Sequence, residues 1–318
     1  MTGSVWPHIM PVTQLTDGDA VPKTKTLLKT LLAALSLGAL PATAGDDADI
    51  TPGSKIAYID AVDHGQTRRW QLVIAEADGS EPRAVMRSDA LLMSPAWSPD
   101  RRRIALVAYD RGQAGLYLYE LASGALRRIT FLPGINGSPA WSPDGNTLAM
   151  TISDGKGNTD IALIDPHKET KTFDDVRKLT DSPAIDTEAS WSPDGRRIAF
   201  TSDRSGTPQI WLMNADGSEP RMLTREGQNM RPRWSPDGKS IAYVSNSEGL
   251  LRIARVRIST GQTELLTQGP RDSGPSFSPT GDALLYSQSG HLAMLTFDGV
   301  PRVMTSTAME VQETDWAR

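Results

Sequence analysis

The chain has 318 residues, 38% hydrophobic and 22% charged, with 27 glycines and 22 prolines, a composition that reads as an ordinary globular chain rather than a disordered or membrane one and favours many short strands joined by turns. A formal charge of -5 offers no electrostatic reason to expect nucleic acid or anionic lipid as a partner. With no cysteine, the chain cannot form disulfides, use thiol chemistry or hold a Cys-ligated zinc.

The first 20 residues fit neither a signal nor a fold, and Val21 is an alternative start. Lys23, Lys25 and Lys29 then precede an apolar run over residues 31–40, and Pro41-Ala42-Thr43-Ala44 supplies the small residues of a signal-peptidase site. The run is about half of the roughly 20 residues needed to span a bilayer, so export with cleavage is expected rather than a membrane anchor. Residues 1–44 therefore read as an N-terminal extension with a cleavable signal peptide, and residues 45–54 as a short segment ahead of the first strand.

From Lys55 onward the chain is built of repeats. Ile56-Ala57-Tyr58, residues 71–74 and residues 83–86 read as three strands with no aromatic motif before them. Then Trp97-Ser98-Pro99-Asp100, Trp141-Ser142-Pro143-Asp144-Gly145, Trp191-Ser192-Pro193-Asp194-Gly195 and Trp234-Ser235-Pro236-Asp237-Gly238 recur, with Phe277-Ser278-Pro279-Thr280-Gly281 as a variant, at spacings of 44, 50, 43 and 43. A period near 43 suits one four-stranded propeller blade.

Seven residues after each aromatic comes an apolar triplet, such as Ile198-Ala199-Phe200, which is the constant offset a hairpin imposes. In the turn, Pro pre-sets φ, Asp bonds its own backbone and Gly accepts a left-handed conformation. Arg101 stands where the other turns carry Gly, so that turn is expected to be the least regular. A fourth strand ends in Thr130, Thr180, Thr224 and Thr267, with six extra residues before Thr180 placed in the loop at 165–175.

The missing strand of the first unit is supplied from the other end of the chain. Glu313-Thr314-Asp315-Trp316 reproduces the approach to the motif's aromatic. The fold class is all-β: a six-bladed β-propeller of four-stranded blades over residues 55–318, closed by pairing the N- and C-terminal strands in one blade.

These repeats resemble those of the TolB family of the Tol-Pal envelope system, most closely at Trp191-Ser192-Pro193-Asp194-Gly195 through Arg204 and at Ile210-Trp211-Leu212-Met213-Asn214-Ala215-Asp216-Gly217. The resemblance implies a periplasmic propeller that docks an envelope protein or peptide, chiefly a peptidoglycan-associated lipoprotein, and supports envelope integrity. It covers the propeller; the α/β domain that precedes the propeller in the family has no counterpart among residues 45–54. Similar blades gate prolyl-oligopeptidase-like peptidases, but the sequence holds no Gly-x-Ser-x-Gly nucleophile turn.

The motif tryptophans read as wedges between blades and the motif aspartates as turn residues. His8, His64, His167 and His291 share no metal-ligand spacing, and no catalytic triad, phosphate loop or dinucleotide fingerprint is present, so neither catalysis nor a cofactor or metal is expected. The candidate partner-binding residues are polar side chains approaching each inner strand: Asn136, Asp186, Asn229 and Asp272 five residues before the aromatic, and Glu188, Arg231 and Glu313 three before it. They are expected to line one channel mouth of a monomeric, noncatalytic binding ring. The alternatives are a lactonase- or lyase-type propeller enzyme with a metal or acid-base pair in the channel, and a carbohydrate- or peptidoglycan-binding module.

Overall fold

The computed structural model describes residues 55–64, 67–153, 158–297, 302–303 and 311–317; the expected signal and start lie outside them. Six antiparallel four-stranded sheets are present. Blade 1 combines β1 (Lys55–His64), β2 (Thr67–Glu76) and β3 (Arg83–Ser88) with the last strand of the chain. Blade 2 is β4 (Leu92–Trp97), β5 (Arg103–Asp110), β6 (Gln113–Glu120) and β7 (Leu126–Arg128). Blade 3 is β8 (Asn136–Trp141), β9 (Leu148–Ser153), β10 (Thr159–Ile164) and β11 (Arg177–Lys178). Blade 4 is β12 (Asp186–Trp191), β13 (Arg197–Ser202), β14 (Gln209–Asn214) and β15 (Arg221–Met222). Blade 5 is β16 (Gln228–Trp234), β17 (Ser240–Ser247), β18 (Leu250–Arg257) and β19 (Thr263–Leu265). Blade 6 is β20 (Asp272–Phe277), β21 (Ala283–Gln288), β22 (His291–Thr296) and β23 (Arg302–Val303), and β24 (Val311–Trp316) returns to blade 1.

The second strands are apolar on both faces because each is sandwiched between neighbouring blades. Ile198, Ala199 and Phe200 are fully buried, and the core between blades 3 and 4 joins Ile161 and Leu163 to Trp191, Phe200 and Met213. Five such clusters repeat around the ring with the same logic. The motif tryptophans sit in these layers as wedges, Trp97, Trp141, Trp191, Trp234 and Trp316 all being buried. Arg103 stacks over Trp141 and Arg197 over Trp234, with the guanidinium carbon 5.1 and 5.0 Å from the ring centroids.

The four Trp-Ser-Pro-Asp turns are tied by the same bonds, whereas at Thr280 the serine hydroxyl of Ser278 turns to Asp282 Oδ1 instead (2.6 Å). Ser142 Oγ donates to Asp144 Oδ1 (2.6 Å), Gly145 N donates to Ser142 O (2.9 Å), and Asn146 N donates to Asp144 Oδ1 (3.1 Å). Gly145, Gly195, Gly238 and Gly281 have φ between 68° and 78°. The turn at Arg101 is as regular as the rest: Arg101 N donates to Ser98 O (2.9 Å) and Ser98 Oγ to Asp100 Oδ1 (2.5 Å). The expected irregularity is absent because Arg101 adopts the glycine conformation, at φ 60°, and the cost is backbone strain instead of a changed turn.

Closure is by β24. It pairs antiparallel with β1, from Ile56 opposite Trp316 to Ile59 opposite Glu313. On one side Trp316 N donates to Ser276 Oγ (3.0 Å) and Thr314 Oγ1 to Gly274 O (2.8 Å); on the other Trp97 N donates to Asp315 Oδ2 (2.7 Å). The last strand is thus held by blades 1, 2 and 6 together. The fourth-strand threonines serve a common purpose that their position alone did not disclose. Each hydroxyl accepts a third-strand backbone N–H, from Leu116, Ile161, Ile210 and Ile253, at 2.8–2.9 Å.

Candidate functional site

The channel is shaped by a bulge in every inner strand. In β4, β8, β12, β16 and β20 the pairing with the second strand shifts register across the same two positions. The first of these is three residues before the aromatic, and there Ser94, Ser138, Glu188, Arg231 and Gly274 all have φ between 48° and 62°. The second is often proline, as at Pro95, Pro139, Pro232 and Pro275, because a bulge releases it from donating an N–H.

The bulges in β12 and β16 bring Glu188 and Arg231 against Glu313 of β24, so that three blades meet. Arg231 Nε lies 3.4 Å from Glu188 Oε1, and Arg231 Nη2 lies 3.3 Å from Glu313 Oε1. Glu188 Oε2 also accepts from Thr201 Oγ1 (2.9 Å) and Arg231 N (2.9 Å), while Glu313 accepts Ser94 N. Burial pulls the Arg231 pKa down, and the Glu313 and Glu188 carboxylates more than offset it, so the group lies above its ordinary value and stays charged. These residues close the channel, leaving a cavity of about 30 Å³ bordered by Ser94, Ser138 and Gly274. Those three occupy the same offset as the triad and were missed only because their side chains carry no charge.

The residues five before the aromatic take a different place. Asn136, Asp186, Asn229 and Asp272 are 0–1% exposed, so they lie beneath the mouth instead of on it. Each holds the loop or neighbouring segment leading into its own inner strand. Asn136 Nδ2 donates to Leu132 O (2.9 Å) and Gly134 O (3.2 Å). Asp186 Oδ2 accepts from Arg204 Nη2 (2.7 Å) and Ser182 Oγ (3.1 Å). Asn229 Nδ2 donates to Glu226 O and Gln209 Oε1, both 2.8 Å. Asp272 Oδ2 accepts Gly269 N (3.1 Å), and a Cβ at position 269 would collide with Asp272 Oδ1 at 2.4 Å, so only glycine can approach so closely. Burial pushes the Asp272 carboxyl above its ordinary value, a shift that the Thr267 and Gly269 hydrogen bonds only reduce.

Among the described residues no group of three or more His, Asp or Glu side chains is arranged to hold a metal ion, and no helix is long and apolar enough to cross a membrane. His167 and His291 are exposed, and the His64 side chain lies outside the described residues. On the opposite face the motif tryptophans and prolines of successive blades frame a funnel of about 340 Å³, with Arg233 and Asp315 as its charged members.

The geometry defines a closed six-bladed β-propeller with an ion-paired channel floor under a ring of internally braced loops. Residues 51–318 match the TolB beta propeller domain, and the chain belongs to that family. The Tol-Pal system protein TolB of Xanthomonas campestris pv. campestris (strain B100) is 40% identical over 85 residues, covering 27% of this chain and 19% of the relative. The crystal structure of TolB from Acinetobacter baumannii superposes with a TM-score of 0.74 at 35% identity, over 83% of this chain and 66% of that one. A putative TolB from Agrobacterium tumefaciens shares the fold, with a TM-score of 0.64 at 23% identity, over 81% of this chain and 91% of the other.

Proposed function

We propose that this propeller is a noncatalytic docking ring of the periplasm, working in a Tol-Pal-like envelope system and receiving an envelope protein such as a peptidoglycan-associated lipoprotein, or a peptide segment of it. One observation carries the reading. Four buried polar side chains at one offset, Asn136, Asp186, Asn229 and Asp272, each brace a segment entering an inner strand, while Glu188, Arg231 and Glu313 close the floor beneath. Residues 132–135, 182–185, 226–228 and 269–271 are thereby shaped before any partner arrives. A surface already ordered loses little conformational entropy on binding, so moderate contacts yield useful affinity.

The seven residues act on the partner mainly through the loops they hold, and contact falls to exposed tips such as Pro133 and Pro183. Calorimetric titration with the soluble domain of a peptidoglycan-associated lipoprotein tests this. Pro133→Glu with Pro183→Glu is expected to weaken binding at least tenfold at an unchanged melting temperature, since tip substitutions leave the bracing side chains intact. Absence of binding by the unaltered protein sinks the reading, and retention on purified peptidoglycan sacculi in its place assigns the ring to carbohydrate recognition.

A further inference from the structure

The extra residues of blade 3 show how an outer edge of this ring can be covered. They fold back across blade 2, where Thr170 forms a parallel bridge with Thr130. Thr170 N donates to Ile129 O and Phe131 N donates to Thr170 O, both at 2.8 Å. A short 3₁₀ turn follows (Phe173–Asp175), and Phe173 and Val176 pack against the core between blades 2 and 3. The chain has in effect added a strand to its own sheet edge, followed by an apolar anchor three residues on.

Blade 4 offers the same edge uncovered. Thr224 is the counterpart of Thr130, because its hydroxyl accepts Ile210 N (2.9 Å) as that of Thr130 accepts Leu116 N (2.8 Å). Leu223 O and Arg225 N therefore correspond to Ile129 O and Phe131 N, and neither has a hydrogen-bond partner among the described residues. They face a cleft of about 740 Å³ between blades 4 and 5, whose far wall includes Tyr243, Arg252 and Leu265. Leu265 is 50% exposed, one of two large hydrophobic side chains so placed among the described residues.

The charges on this cleft are biased against the net charge of the chain. Arg221, Arg225 and Arg252 line it with Glu226 and Glu264, and Glu264 is already engaged by Arg255. Arg252 Nε is buried with no hydrogen-bond partner among the described residues, although the Asp272 carboxylate already acts on the Arg252 charge. An unmet donor and an unpaired sheet edge in one cleft call for a ligand that is both extended and acidic.

We propose that the cleft between blades 4 and 5 binds an extended acidic segment of another protein, which adds as a parallel strand to the outer edge of blade 4. One residue of that segment donates its N–H to Leu223 O and accepts from Arg225 N, its carboxylates meet Arg221, Arg225 and Arg252, and an apolar side chain covers Leu265. The site opens on the side of the ring and adjoins the mouth at the 226–228 loop, which Asn229 braces and which forms one end of the cleft.

The chain's own insertion supplies the probe. A fluorescein-labelled peptide of residues 165–176 carrying Lys168→Glu and Lys171→Glu is titrated with the protein and followed by anisotropy. Saturable binding is expected, weakening as salt is raised. Arg225→Pro removes the edge donor and is expected to weaken it at least tenfold; Arg252→Glu, on the opposite wall, is expected to weaken it severalfold with the circular dichroism spectrum unchanged. No saturable binding, or full affinity retained in both variants, overturns the proposal. So does light scattering that shows a dimer abolished by Arg225→Pro, because the occupant is then a second copy of the chain.

Discussion

The two ends of the inner strands are built on different principles. At the turn end, the four Trp-Ser-Pro-Asp hairpins repeat the same few bonds within a handful of residues. The serine hydroxyl of each motif is the chief cause holding Asp144, Asp194 and Asp237 below the ordinary carboxylate range, seconded by the turn's own backbone. At the channel end the position three before the aromatic changes among Ser, Glu, Arg and Gly from blade to blade, and the ion pairs of Arg231 with Glu188 and Glu313 form only across blades. The turn end is therefore a sum of independent local structures, whereas the channel end is one object assembled by the whole ring. Damage should stay local at the first and spread at the second.

The most severe way to break this distinction is to remove one inner strand. Deletion of residues 311–318 takes away β24, the strand that blades 1, 2 and 6 share, and a single cooperative thermal transition is expected to be lost. A still cooperative, equally heat-resistant monomer would mean that the ring does not depend on closure. Next in size is Arg231→Met, which leaves two carboxylates facing each other in a nearly closed cavity. Urea unfolding should show a loss of about 3 kcal/mol at neutral pH. Adding Glu313→Gln should recover part of it, and a loss below 1 kcal/mol (about the worth of a surface pair) would class the triad as a solvated one.

Changes at the turn end should be smaller and confined. Arg101→Gly relieves a left-handed residue at φ 60° and is expected to stabilise by about 1 kcal/mol in urea unfolding, without altering the channel end. An unchanged midpoint would show that the turn bonds already compensate the strain. The smallest effect sharpens the comparison from the channel side. The Asp272 carboxyl is raised in the folded state, so between its unfolded and folded pKa the native protein binds more protons and stability falls as pH rises. Asp272→Asn, which installs the residue found at positions 136 and 229, should raise the melting temperature slightly at pH 7, with the gain vanishing as the pH falls below the ordinary carboxylate range. Asp186→Asn should bring no such gain, because Asp186 carries the ion pair to Arg204.

How much could be read beforehand follows the same division. The blade count, the hairpin register and the closure at Trp316 were legible because a repeat with a constant offset exposes its own period and its own missing piece. The extra residues near 165–175 were legible as an insertion, but their pairing with Thr130 was not, since a parallel bridge joins segments 40 residues apart with no local pattern. Arg101 misled because residue type reports preference, while a hairpin closed by the bonds among Ser98, Asp100, Arg102 and Arg103 can impose a disfavoured φ.

The channel residues show the limit most clearly. Their offsets marked two sets of polar positions, and the offsets alone placed both at one mouth. Side chains alternate in a regular strand, but the bulge three residues before each aromatic breaks that alternation. It turns Glu188 and Arg231 into the channel and leaves Asp186 and Asn229 buried beneath their own loops. The linear chain determined the strands, the turns and the ring they close, because those depend on neighbours a few residues away or on a repeated register. Which charges meet at the centre was decided only by the curvature of six sheets about a common axis, a long-range property that no single blade contains.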